Sequence, residues 1–165
     1  MTKDILAAAK AVLDACNRRG LKVATAESCT GGLVAAALTE IAGSSSVVDR
    51  GFVTYSNDAK REMLLVPLDV LDDKGAVSRE TAEAMALGAL RNSHADIAVA
   101  ITGVAGPGGG TRAKPVGLVH FAAASSLGEG RMIHAEKRYG AIGREAVRHK
   151  SVLQALEMLK TLATP

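Results

Sequence analysis

The sequence predicts an α/β fold of three layers, in which a mixed, mostly parallel sheet lies between two layers of helices. Three observations lead to this prediction. Short apolar segments alternate along the chain with longer segments of helical periodicity. The segment 96–102 is almost wholly apolar, as expected for a central strand that is buried on both faces. A turn-forming sequence at 125–130 separates two further strand-like segments, which predicts an antiparallel hairpin.

The first half of the chain is predicted to alternate helices and strands. Apolar residues at helical spacing, with Cys16 among them, indicate a helix at about 5–19, and the apolar segment 22–26 indicates a strand. An alanine-rich helix at 31–41 and a strand at 48–55 follow. Asn57 is a good N-cap for a short helix at 58–64, and Pro67 is placed to begin another at 67–72.

The second half completes the sheet and closes the domain. Ser78 is the expected N-cap of a helix at 78–93, whose first turns contain Glu80 and Glu83. The strands 96–102, 116–124 and 131–138 come next, and the last two form the expected hairpin. A helix at 143–162 ends the chain. No repeat or linker divides the sequence, so we expect a single domain over 1–165.

The composition fits a compact enzyme but does not identify one. Aromatic residues make up 2% of the 165 residues and 30 residues are alanine, which predicts an aliphatic core with helices close to the sheet. The net charge of +3 and the isoelectric point near 9.0 are mild, and without interleaved aromatic residues they are weak evidence for a nucleic-acid partner. They suit a small anionic substrate equally well.

The cysteines and histidines do not predict a metal site or a disulfide framework. There are only two cysteines, and the four histidines lie on different predicted elements without metal-ligand spacing. They also offer no Ser-His-Asp triad. No signal peptide precedes Asp4 and no apolar segment is long enough to span a membrane, so we expect a cytoplasmic protein without membrane contact.

Ser28 is the first candidate catalytic residue. It follows the predicted strand 22–26 and precedes a helix, and ligands of open α/β sheets bind at such carboxyl ends of strands. A serine hydroxyl needs a base to become a nucleophile. Lys60 fits, because the dipole of the helix that begins near Asn57, together with any burial, would lower its pKa. Tyr55 could relay the proton or form a hydrogen bond.

Two other interpretations of this segment stay open. Ser-Cys-Thr before a helix is often only helix capping, and a lysine in a first helical turn is often a solvated surface residue. Cys29 could also replace Ser28 as the nucleophile, because a thiol near a helix N-terminus can have a lowered pKa.

A glycine-rich segment, 102–112, is the second chemical feature. It directly follows the apolar strand 96–102, at the same predicted sheet edge as Ser28. Consecutive exposed N–H groups in such a segment can bind a phosphate or a developing oxyanion. It is neither a Walker loop nor a dinucleotide fingerprint. For Gly108 to Gly110 a flexible surface loop is an equally good interpretation.

Several blocks of the sequence resemble the C-terminal domain family of the competence/damage-inducible protein CinA, which includes stand-alone nicotinamide-nucleotide amidohydrolases. The resemblance covers nearly the whole chain. In order, the matching blocks are 25–32, 43–45, 50–57, 75–78, 103–107 and 114–117.

The resemblance implies an enzyme that converts the carboxamide of nicotinamide mononucleotide into nicotinic acid mononucleotide and ammonia, without a cofactor or metal. The family's catalytic serine, tyrosine and lysine fall on Ser28, Tyr55 and Lys60. It also implies a homo-oligomer, with a dimer favoured. Nothing in the sequence corresponds to the nucleotide-pyrophosphatase domain of longer members, so that activity is not expected. The candidate substrate-binding residues are Thr30, Gly31, Asn57, Thr102, Gly103, Gly106 and Arg144.

Amide hydrolysis also needs hydrogen-bond donors for the oxyanion. The N–H groups of Cys29, Thr30 or Gly31 are candidates, and the Thr102 hydroxyl with the Gly103 N–H is an alternative.

The substrate phosphate needs a cationic partner, for which Arg144 is the choice. The family usually has an aspartate immediately before this arginine, whereas this chain has Gly143. For Arg148 and Lys150 a solvated helix face is the favoured interpretation.

Two alternative functions stay open. One is a catalytically weak binding or scaffold role in competence or the DNA-damage response. The other is an amidohydrolase that acts on a different amide.

Overall fold

A mixed five-stranded sheet forms the centre of the computed structural model, which describes residues 1–165. The strand order is β2-β1-β3-β4-β5, in which β1 is parallel to β2 and β3, and β4 is antiparallel to β3 and β5. Four strands therefore run in one direction. This confirms the predicted mixed sheet, the central position of β3 and the hairpin of β4 and β5. The strands are β1 Val23–Glu27, β2 Val48–Val53, β3 Ile97–Gly103, β4 Leu118–Ser125 and β5 Arg131–Arg138.

Helices cover both faces of the sheet and give the three predicted layers. Helices α1, α2 and α6 pack on one face, and α3, α4 and α5 pack on the other. Their bounds are α1 Lys3–Arg19, α2 Leu33–Thr39, α3 Asn57–Leu64, α4 Leu68–Lys74, α5 Arg79–Arg91 and α6 Arg144–Ala163. A short 3-10 turn at Ser44–Ser46, which was not predicted, precedes β2.

The two faces of the sheet differ in side-chain size. The face under α1 and α6 carries large residues such as Ile97, Val99 and Phe121, whereas the face under α5 carries alanines. Because side chains alternate between faces along a strand, large and small apolar residues alternate along β3. The alanines let α5 lie close to the sheet. They are Ala24, Ala26, Ala98, Ala100, Ala122 and Ala124.

Two element starts near the candidate site differ from the prediction. Helix α2 begins at Leu33 rather than at 31, because Gly31 and Gly32 have positive φ angles of 59° and 101°. The N-cap of α3 is Ser56 rather than Asn57. The Ser56 hydroxyl accepts the Ala59 N–H at 3.0 Å, so Asn57 is the first helical residue.

None of the six helices combines the length and the apolar character needed to span a membrane.

Candidate active site

The candidate site lies at the carboxyl ends of the three parallel strands β2, β1 and β3. Ser28 directly follows β1, and its N–H donates to the Ile101 carbonyl of β3 at 3.0 Å. On the other side of β1, the Thr54 N–H donates to the Glu27 carbonyl at 2.9 Å. Ser28 is therefore held to β3 by its own N–H, and the residue before it, Glu27, is held to the segment that follows β2.

The structure brings Ser28 and Lys60 together, as the sequence predicted. The Lys60 Nζ donates to the Ser28 Oγ at 3.1 Å and to the Thr54 carbonyl at 2.9 Å. Both side chains are buried, with relative exposures of 9% for Ser28 and 1% for Lys60. A lysine amine at this distance can accept the serine proton once the amine is neutral.

The surroundings of Lys60 favour that neutral form. Burial lowers the pKa of Lys60 below its ordinary value of 10.5, because desolvation penalises the charged ammonium. Lys60 forms no salt bridge, so no carboxylate counteracts this effect. The helix dipole was the first cause expected from the sequence, whereas burial is the main cause in the structure. A buried lysine that contacts a serine without an acidic partner is typical of a functional site.

Glu27 is a site residue that the sequence analysis missed, since the predicted strand ended at 26. Its side chain is 1% exposed and accepts hydrogen bonds from the first turn of α2. The carboxylate oxygens accept the Val34 N–H at 2.9 Å and the Ala35 N–H at 3.1 Å. Glu27 thereby connects β1, which precedes the Ser28 loop (residues 28–32), to α2, which follows it. The available signal was a charged residue at the end of an otherwise apolar strand.

Arg148 also contacts the Ser28 loop, so its interpretation as part of a solvated helix face is wrong. Its Nε donates to the Cys29 carbonyl at 3.1 Å and its Nη2 donates to the Thr30 carbonyl at 3.2 Å. The side chain is partly buried. Lys150 is exposed, and its Nζ lies 5.8 Å from the centre of the Tyr139 ring.

Arg144 joins the loops that follow β2 and β3. Its Nη2 donates to the Tyr55 hydroxyl at 2.9 Å, and its Nη1 donates to the Gly106 carbonyl at 2.9 Å. Because β1 lies between β2 and β3, the two contacts place the guanidinium group across the end of β1. The Tyr55 hydroxyl bonds to Arg144 and not to Ser28 or Lys60, and the Tyr55 residue is 61% exposed.

The other predicted binding residues lie around the same sheet edge in different surroundings. Thr102 is buried, and its hydroxyl donates to the Ala76 carbonyl at 2.7 Å. Gly103 packs so tightly against Val119 that a Cβ atom would lie 2.7 Å from a valine methyl group. Thr30 is fully buried and its hydroxyl has no hydrogen-bond partner, whereas Asn57 is exposed.

Cys29 is poorly suited to be the nucleophile. Its side chain is buried, and desolvation raises the pKa of the thiol to about 12. With this pKa the Cys29 thiol is protonated at neutral pH. Because the thiolate is the reactive form, the protonated thiol is a poor nucleophile. This argues against the alternative in which Cys29 replaces Ser28.

These observations define an α/β protein with a buried serine-lysine pair at a carboxyl sheet edge. The profile of the family described as "CinA C-terminal domain" matches residues 6–163. The chain belongs to this family.

Comparisons with relatives agree with that membership. The chain is 47% identical over 156 residues to the nicotinamide-nucleotide amidohydrolase PncC of Escherichia coli K12, covering 94% of this chain and 93% of that protein. It is 50% identical to a CinA-like protein of Synechococcus sp. RCC307, with 92% of this chain and 36% of that protein covered. It likewise spans only 28% of a longer relative from Caldicellulosiruptor bescii. A relative from Enterobacter agglomerans, 49% identical over 139 residues, is likewise named a nicotinamide-nucleotide amidohydrolase.

A solved structure shares the fold over almost its whole length. The competence/damage inducible protein CihA from Agrobacterium tumefaciens superimposes with a TM-score of 0.95 at 57% identity. The match covers 98% of this chain and 97% of that one.

Proposed function

We propose that this protein hydrolyses the carboxamide of nicotinamide mononucleotide, giving nicotinic acid mononucleotide and ammonia. The observation that carries the proposal is the contact of 3.1 Å between Ser28 Oγ and Lys60 Nζ, in which the lysine is buried and has no acidic partner. The substrate class comes from the similarity to PncC proteins over most of both chains.

In the first half of the reaction, the Ser28 Oγ attacks the carboxamide carbon while Lys60 takes the hydroxyl proton. The C–O bond forms and the electron pair of the carbonyl moves onto its oxygen. When this tetrahedral adduct collapses, the C–N bond breaks and Lys60 returns the proton to the leaving nitrogen, which departs as ammonia.

In the second half, water hydrolyses the acyl-serine. Lys60, again neutral, takes a proton from the water, which attacks the ester carbon. The Ser28 oxygen leaves and recovers its proton from Lys60, and nicotinic acid mononucleotide is released. Every step uses groups of the protein, the substrate and water.

Arg144 is proposed to bind the 5′-phosphate. Its guanidinium group is exposed, lies across the end of β1, and can form paired hydrogen bonds with phosphate oxygens. Tyr55 orients Arg144 through its hydroxyl, and Gly106 does so through its carbonyl. Thr30, Gly31, Asn57, Thr102 and Gly103 are proposed to form the remainder of the substrate site.

Ammonia release from nicotinamide mononucleotide tests the proposal directly. We expect turnover by the wild type and a loss of at least about 1,000-fold in kcat for Ser28→Ala and Lys60→Met. Lys150→Met is the matched control, because it removes an exposed lysine from α6, and it should retain activity. Cys29→Ala should also retain activity if Ser28 is the nucleophile.

The outcomes separate the alternatives. A folded wild type that releases no ammonia would refute the substrate, and other amides would then be tested with the same variants. Retained activity in Lys60→Met would refute the serine-lysine chemistry. Salt-sensitive binding of DNA by an inactive wild type would favour the binding role instead. The homodimer stays a prediction, which sedimentation equilibrium would test.

A further inference from the structure

The turn after Ser28 contains backbone N–H groups that form no hydrogen bond with another residue. The Ser28 N–H donates to Ile101, and the Gly31 N–H donates to the Ser28 carbonyl at 3.0 Å. The N–H group of Gly32, which is partly buried, and those of Cys29 and Thr30 form no hydrogen bond with another residue. Cys29 and Thr30 are buried, with relative exposures of 6% and 0%. Buried N–H groups without partners are costly and uncommon in folded proteins, so these two are candidates for binding a substrate atom.

Arg148 fixes the direction of one of these N–H groups. A trans peptide holds its C=O and N–H in one plane, pointing in opposite directions. The Cys29–Thr30 peptide is trans. Because the Arg148 Nε binds the Cys29 carbonyl at 3.1 Å, the Thr30 N–H points away from Arg148.

The second contact of Arg148 fixes the next peptide. Its Nη2 binds the Thr30 carbonyl at 3.2 Å, and the N–H of that peptide belongs to Gly31, which closes the turn onto the Ser28 carbonyl. The guanidinium group thus binds the carbonyl oxygens of two successive peptides of the Ser28 loop. Arg148 has no salt bridge, so its charge is available to polarise these carbonyls.

Two of the competing donors are already engaged. The Thr102 hydroxyl donates to the Ala76 carbonyl at 2.7 Å, and the Gly31 N–H donates to the Ser28 carbonyl. Cys29 and Thr30 are therefore the buried residues of the Ser28 loop whose N–H groups are left to bind the oxyanion.

We infer that Arg148 is a positioning residue for the oxyanion donors: it holds the Cys29–Thr30 peptide so that the Thr30 N–H binds the substrate oxygen as it becomes negative. This inference rests on the proposed function. When the Ser28 Oγ bonds to the carboxamide carbon, the electron pair of the C=O bond moves to oxygen and the proton passes to Lys60. The donor stabilises that oxygen most strongly in the transition state, so Arg148 acts on kcat more than on KM.

The first test compares Arg148→Ala and Arg148→Lys with the wild type, and with Lys150→Ala as a control on the same helix. Removing one oxyanion donor typically lowers kcat by about 100- to 1,000-fold, and a misdirected donor should cost about 10- to 100-fold. We expect this loss in kcat for Arg148→Ala with KM changed less than about 3-fold. Circular dichroism and the thermal midpoint show whether each variant is folded.

The second test replaces the reacting oxygen by sulfur. The kcat/KM of nicotinamide mononucleotide is compared with that of its thioamide analogue. Because sulfur accepts hydrogen bonds poorly, the ratio of the two values reports how strongly the N–H donors bind the reacting oxygen. The wild-type preference for oxygen should fall about 10-fold or more in Arg148→Ala. A merely structural role of Arg148 would slow both substrates equally.

The third test is chemical rescue. Arg148 lines a surface cavity of about 480 Å³, so methylguanidinium can reach the position that the side chain leaves. Millimolar methylguanidinium should restore part of the kcat of Arg148→Ala, and sodium chloride at equal ionic strength should not.

The outcomes distinguish a failure of the proposed function from a failure of the inference about Arg148. A wild type without turnover refutes the proposed function. A wild type with turnover refutes this inference if folded Arg148→Ala keeps its kcat, or if its preference for oxygen over sulfur is unchanged.

Discussion

Replacing Glu27 by glutamine should destabilise the protein far more than the loss of one charge on the surface would. The carboxylate is 1% exposed and accepts two N–H groups, from Val34 at 2.9 Å and from Ala35 at 3.1 Å. Glutamine keeps one acceptor oxygen and presents an NH₂ group to the second N–H. One backbone donor then loses its partner.

The magnitude follows from these contacts. Loss of a hydrogen bond to a charged group costs about 1.5–3 kcal/mol. The favourable interaction of the carboxylate with the N-terminus of α2 contributes about 0.3–1 kcal/mol more. We therefore expect a decrease of about 2–4 kcal/mol in the free energy of unfolding. At about 2–4 °C per kcal/mol for a chain of this size, the thermal midpoint should fall by about 4–16 °C.

Urea unfolding followed by circular dichroism measures this change, with Glu40→Gln as the matched control. Glu40 is exposed at the C-terminal end of the same helix, so its substitution should change the stability by less than about 0.5 kcal/mol. Equal stabilities of the two variants would refute the assignment of Glu27 as the anchor of α2. The proposed amidohydrolase activity should also be lower in Glu27→Gln, because α2 supports the Ser28 loop.

Three further predictions concern packing and pH. Gly88→Ala should destabilise by about 1–3 kcal/mol despite a gain in helix propensity of about 1 kcal/mol, since its Cβ would overlap the Leu64 carbonyl; an unchanged urea midpoint would contradict this. Burial lowers the pKa of Lys60, so the unfolded state binds more protons and the free energy of unfolding should rise with pH up to about 10.5. In Lys60→Met this rise should be smaller, which thermal midpoints measured across pH would show. Burial also lowers the pKa of His120 and His134 below 6.5, so the free energy of unfolding should fall as the pH drops below 6.5. If His134→Gln lost the same stability over this range, His134 would not contribute to the pH dependence.

The local patterns of the sequence were enough to predict the fold. The apolar strand 96–102 proved to be the central β3, and the segment 125–130 proved to join an antiparallel hairpin. Periodicity and turn chemistry act over a few residues, so they can be recognised without knowledge of the tertiary structure. The start of α2 was wrong because Gly31 and Gly32 adopt positive φ angles, which periodicity does not reveal.

The sequence by itself also determined which chemistry is available: a serine at the carboxyl end of a strand, and a lysine near the start of a later helix. Only the tertiary structure decided that they meet, because Ser28 and Lys60 belong to different elements and Lys60 becomes buried by the packing of α3. The contacts of Arg148 and Glu27 were beyond local patterns for related reasons. Arg148 reaches a loop more than 100 residues earlier in the chain. Glu27 contacts α2 because β1 places its side chain next to the first turn of that helix. The residue types arginine and glutamate do not by themselves indicate these partners.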